Sequence, residues 1–106
     1  MTTFDDRERG FESKFAHDEE MAFKAQARRD RLLAEWAGTK LGLVDRELGD
    51  YVTAVWRADL KHPGDQDVFD KVKADFSARG VAVTDAELRS KMDELLGQAK
   101  AELAAG

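Results

Sequence analysis

Apolar residues recur along this chain at intervals of three and four, the period at which one face of an α-helix returns. The pattern is clearest in Leu88, Met92, Leu95, Leu96, Ala99 and Leu103, an unbroken apolar face. Just ahead of it, Thr84 stands as an N-cap with Glu87 three residues on, and Val83 and Leu88 take the two staple positions. This spacing predicts a helix over about 85–104. A second is expected over 65–79, capped by Asp65, with Asp65 and Asp67 complementing the helix dipole. Phe69, Val72 and Phe76 form its buried stripe with Val68 beside them, and Arg79-Gly80 supplies a basic last turn and a stop. A third, over 45–61, has Asp45 as its expected cap and buries Leu48, Tyr51, Val52 and Val55, with Trp56 at the margin. Gly49 weakens it, and Pro63-Gly64 prevents its continuation. The longest helix is expected over about 20–41, stopping at Gly42, with Ala25, Leu32, Leu33, Trp36 and Ala37 on its apolar side. Four amphipathic helices on short loops predict an all-α fold, a compact four-helix bundle over residues 20–106.

Upstream the pattern changes. Ten of the seventeen residues from Phe4 to Glu20 are charged, yet Phe4, Phe11 and Phe15 fall on one narrow stripe of a helix. Charge pairs such as Asp5–Arg9 favour helix slightly, while Gly10 costs about 1 kcal/mol against alanine. An isolated helix this short is marginal in water, and the four downstream helices show no apolar excess beyond what their own core needs. Residues 1–19 are therefore expected to form a flexible arm that folds on a partner. Each ring would yield on the order of 1.5–3 kcal/mol on burial. Ordering the arm costs roughly 1–2 kcal/mol per residue in backbone entropy. The rings alone cannot carry binding, so the charged side chains between them must also find partners.

Charge narrows the partner. The chain has a net charge of −5, which argues against nucleic acid. Residues 1–20 hold three bases and seven acids, whereas residues 24–40 hold five bases and two acids, chiefly through Lys24, Arg28, Arg29, Arg31 and Lys40. An acidic arm followed by a basic helix suits interaction with another protein. The rival reading is a small helical adaptor or nucleic-acid module using Arg28, Arg29 and Arg31. At 106 residues the chain makes one domain, too small for a roomy cleft and its scaffold. The absence of cysteine excludes disulfides and thiolate chemistry, and no apolar run is long enough to span a bilayer.

Candidate chemistry adds little. Gly38-Thr39-Lys40 lacks the upstream glycine of a phosphate loop. The run His17-Asp18-Glu19-Glu20 points to several sides of a helix rather than to one metal. Asp65-Gln66-Asp67 starts like a calcium loop but lacks its glycine and terminal glutamate. No catalytic residue, metal site or cofactor is expected. His17, inside the arm, is a candidate pH sensor because imidazole changes charge near neutrality.

The N-terminal run is more specific than its composition. Thr3-Phe4-Asp5-Asp6-Arg7-Glu8, Phe11-Glu12 and Lys14-Phe15-Ala16-His17-Asp18-Glu19-Glu20 resemble the zeta-subunit family of alphaproteobacterial F1F0-ATP synthases. The resemblance continues through Ala27-Arg28-Arg29, Leu32-Leu33, Trp36-Ala37 and Leu41-Gly42-Leu43, and more loosely through Pro63-Gly64-Asp65, Val68, Lys71-Val72 and the last helix. It implies a non-enzymatic protein inhibitor whose arm inserts between an alpha and a beta subunit of F1 and halts ATP hydrolysis. Phe4, Phe11 and Phe15 would be the apolar anchors, and Asp5, Asp6, Arg7, Glu8, Arg9, Glu12 and Lys14 the charged contacts. Arg28, Arg29 and Arg31 would form a docking face. The implied partners are the alpha and beta subunits, with gamma as a further candidate. The implied location is the cytoplasmic side of the inner membrane, without membrane insertion, and the free protein would be a monomer.

Overall fold

A computed structural model describes the backbone from Thr3 and the side chains from Asp18 onward. It contains four helices: α1 (Thr3–Lys40), α2 (Asp45–Asp59), α3 (Gln66–Ala78) and α4 (Asp85–Ala105). The expected start of the first helix near residue 20 is not a helix boundary, since α1 is one helix from Thr3. Among the described residues there is no strand, and no helix is long and apolar enough to cross a membrane.

α1 packs along both α2 and α4, and α3 closes the remaining side. The shared core gathers Leu33, Ala34 and Ala37 of α1, Tyr51 and Val55 of α2, Val68, Val72 and Phe76 of α3, and Leu88, Met92 and Leu95 of α4. Within α3, Val68 is fully buried while Phe69 lies at the margin, so the stripe is Val68–Val72–Phe76 at four-residue spacing. Trp36 meets Phe76 edge to face with ring centroids 5.7 Å apart. Lys40 and Lys91 each approach the Trp36 ring, adding a cation on its rim.

Helix ends follow the glycines. After α1, Gly42 adopts a φ of 80° while Leu43 N–H donates to Gly38 O at 2.8 Å and Gly42 N–H to Thr39 O at 3.1 Å. That left-handed turn satisfies carbonyls the helix would otherwise leave open. α3 ends the same way at Gly80, with Val81 N–H on Phe76 O at 2.9 Å. Arg79 is not part of a basic last turn: it is the C-cap, and its guanidinium donates to Leu41 O at 3.2 Å, joining the α3–α4 loop to the α1–α2 loop.

Of the three expected caps, one forms as expected. Thr84 Oγ1 accepts from Glu87 N–H at 3.1 Å. Asp45 does not cap α2: Val44 takes the N-cap position, and Asp45 starts the helix at a φ of 52°, a left-handed value aspartate tolerates better than most residues. Asp65 stands at the N-cap of α3 but makes no capping bond. Its Oδ1 accepts from Arg89 Nη1 at 2.8 Å while Arg89 Nη2 donates to Gln66 Oε1 at 2.7 Å, and the guanidinium lies 4.5 Å over the Phe69 ring. A fork that grips two acceptors and an aromatic face outcompetes a single N–H. Asp67 turns to His62 Nδ1 at 2.7 Å, which ties the Pro63-Gly64 loop to the start of α3.

Two substitutions in and before α4 test this account with opposite signs. Thr84→Ala removes the one side-chain cap among the described residues and is expected to cost about 1 kcal/mol. Gly97 is exposed in mid-helix, and a Cβ there meets nothing within 4 Å. Gly97→Ala is expected to stabilise by about 0.5–1 kcal/mol. Urea unfolding followed by circular dichroism measures both.

Candidate functional site

The surface most suited to recognition is the face where the middle of α1 meets the end of α2. Among the described residues four large apolar side chains are exposed, and three of them gather here: Phe23 at 55%, Trp56 at 38% and Leu60 at 55%. With Gln26, Ala27, Asp59, Lys61 and the His62-Pro63-Gly64 loop, they line a groove of about 320 Å³. Trp56, expected as a marginal core residue, belongs to this surface. Phe23 and Ala27 also border a second concavity lined by Lys24, Arg28, Arg31 and Leu103, so the apolar groove runs directly into a basic row. Lys24, Arg28 and Arg31 recur at intervals of four and three along one stripe of α1. Surface pairs flank the row, Lys24 with Glu20 and Arg31 with Glu35, both at 3.0 Å and spaced i,i+4. Such exposed pairs are weak and exchange readily for a partner's carboxylates.

Arg29 is absent from this row. Expected on the docking face with Arg28 and Arg31, it is instead 3% exposed. It sits on the stripe Ala25–Arg29–Leu33–Ala37, every member of which is buried. Its Nε donates to Asp30 Oδ1 at 2.8 Å, and its Nη2 lies 3.9 Å from Asp59 Oδ2 on α2. Asp30 is 0% exposed, and burial pushes its carboxyl up to about 8, with the neighbouring Asp59 adding to the rise and Arg29 opposing it. The sequence reading missed Asp30 and Asp59. A signal existed, because Arg29 keeps the four-residue spacing of Ala25, Leu33 and Ala37, and Asp59 keeps that of Tyr51 and Val55. On α2 the Tyr51 hydroxyl is buried without a hydrogen-bond partner, and burial first, then Asp75, holds it protonated well above the usual tyrosine range.

The proposed arm contacts Phe4, Asp5, Asp6, Arg7, Glu8, Arg9, Phe11, Glu12, Lys14 and Phe15, and the proposed sensor His17, lie outside the residues whose side chains are described.

No curated protein matches the chain. A structure solved by solution NMR is similar, with 36% sequence identity and a TM-score of 0.70, over 80% of this chain and 96% of that one. The family model described as ATPase inhibitor subunit zeta matches residues 1–102. Because that match takes in the N-terminal run and all four helices, the chain belongs to the ATPase inhibitor subunit zeta family.

Proposed function

We propose that this inhibitor acts through two surfaces: an arm, residues 1–19, that enters the interface between an alpha and a beta subunit of F1, and a bundle, residues 20–106, that holds the arm there. The observation that carries the reading is the extent of the family match. It begins at residue 1 and so takes in the aromatic, highly charged run along with the bundle.

In the bound arm, Phe4, Phe11 and Phe15 would be the anchors. On a continuous helix Phe4 and Phe11 share the seven-residue register of Ala25 and Leu32, and Phe15 that of Ala22 and Arg29. Asp5, Asp6, Arg7, Glu8, Arg9, Glu12 and Lys14 would compensate for the desolvation that burying the rings requires. A wedge in a catalytic interface blocks the closure that hydrolysis depends on. Synthetic rotation, which opens the same interface, would expel it.

The bundle docks by the Phe23–Trp56–Leu60 groove and its basic row. Apolar area with a cationic rim matches an acidic surface of F1 bearing an apolar ridge, and docking raises the local concentration of the arm. The nucleic-acid alternative is weakened, because Arg29 is committed to the interior and the row keeps Lys24, Arg28 and Arg31 between acidic neighbours.

Deleting residues 1–19 is expected to abolish inhibition of purified F1 while helicity and the thermal transition of the bundle persist. Retained inhibition would refute the arm's role. Phe23→Ser and Leu60→Ser, at exposed positions, are expected to leave the fold intact and to raise the half-inhibitory concentration about tenfold each. An unchanged half-inhibitory concentration with an intact arm would remove the groove from the docking surface and leave the arm reading standing.

A further inference from the structure

Beneath the groove lies an arrangement of charges that does not balance. Arg29, Asp30 and Asp59 place one guanidinium against two carboxyls between α1 and α2, with Asp30 wholly buried and Arg29 nearly so. If both carboxyls were ionised, the cluster would hold a surplus negative charge, with Asp30 wholly out of water and Asp59 only at the edge of the groove. One atom records the strain directly: Asp30 Oδ2 is buried and has no hydrogen-bond donor, since Arg29 serves only Oδ1 at close range. A buried carboxylate oxygen without a donor is unfavourable. A single proton removes both faults, because a protonated carboxyl is neutral and its O–H can donate to the other carboxylate.

We propose that Asp30 and Asp59 share one proton in the folded chain, and that this proton is a latch between α1 and α2 that closes in acid and opens in alkali. Arg29 on α1 is the charged group set against both carboxyls, and Lys61 and His62, just beyond α2, share with Asp59 the lining of the groove. The charged groups that α4 brings to this stretch of α1, Lys100 and Glu102, line the concavities beside Ala25 and Arg28 instead. The rise of the Asp30 carboxyl to about 8, caused first by burial and then by Asp59, agrees with the geometry. In the unfolded chain the same carboxyl ionises near its ordinary 3.8. Folding therefore takes up a proton, and this group's contribution to stability falls as pH rises from about 3.8 to about 8, then levels off. That slope is opposite to the one given by a carboxylate that is ion-paired in the fold. Because Asp59 also lines the groove, opening the latch loosens the floor under Phe23, Trp56 and Leu60. The inference rests on the packing of α1 against α2 and holds or fails independently of the proposed action on F1.

Carboxyl-carbon NMR of the full chain tests it directly. One carboxyl, or a coupled pair, is expected to titrate with a midpoint near 8 in the folded protein. If every carboxyl of the folded chain titrates below about pH 6, where ordinary carboxylates have finished, there is no shared proton. Urea unfolding supplies a second readout. Between pH 7 and pH 9 the folding constant of the wild type is expected to drop about tenfold, and in Asp30→Asn, a neutral stand-in for the protonated group, that drop should vanish. An equal drop in the variant would overturn the proposal. Should Asp30→Asn fail to fold, Asp59→Asn decides the matter by NMR. With the second carboxyl gone, the Asp30 midpoint is expected to fall by about one unit or more, and an unmoved midpoint would show that Asp59 holds no share of the proton.

Discussion

The fold depends on how closely other helices can approach α1. Along the side it turns inward, α1 presents mainly small residues, Ala25, Ala34, Ala37 and Gly38, all buried. They let α2 and α4 close on it, and the volume they leave is filled by Tyr51, Val55, Phe76, Leu88 and Met92. At Gly38 the approach is so tight that a Cβ would stand 2.4 Å from Leu48 Cδ1. Helices this near exclude water from their seam, which is what makes a buried charge between them consequential. The polar ties, Arg89 on Asp65 and Gln66, Arg79 on Leu41 and Lys73 on the Val83 carbonyl, then fix the loops around a core already set by size.

Most of this architecture was legible because it follows from period and punctuation. Leu88, Met92 and Leu95 can be buried together only on a helix, the stripe of α3 was placed to within one residue, and Gly42, Gly64 and Gly80 mark turns whose positive φ suits glycine. Side-chain competition was harder to read. Asp45 and Asp65 look like caps, but capping is a local preference worth about 1 kcal/mol. A guanidinium arriving from another helix overrides it, as Arg89 does. Arg29 was misread for a related reason. A run of three arginines around one aspartate suggests a solvated face, and composition outweighed the four-residue spacing that places Arg29 in line with Ala25 and Leu33. The groove was not legible, since Phe23 in the middle of α1 and Leu60 at the end of α2 become neighbours only when the α1–α2 packing is known.

The family assignment and the buried cluster meet on one helix. From Asp18 onward α1 carries both the basic row and two members of the buried cluster, so the surface and the interior features share one helix. A helix transmits position well over such distances because its backbone hydrogen bonds are internal.

The two tryptophans occupy contrasting environments. Trp36 is packed edge to face on Phe76 at the core margin, whereas Trp56 opens into the groove. Indole emission moves to shorter wavelength when water is excluded, so the protein contains two intrinsic fluorophores with separate duties. Trp36 follows unfolding, and Trp56 lights the moment another molecule covers the α1–α2 surface.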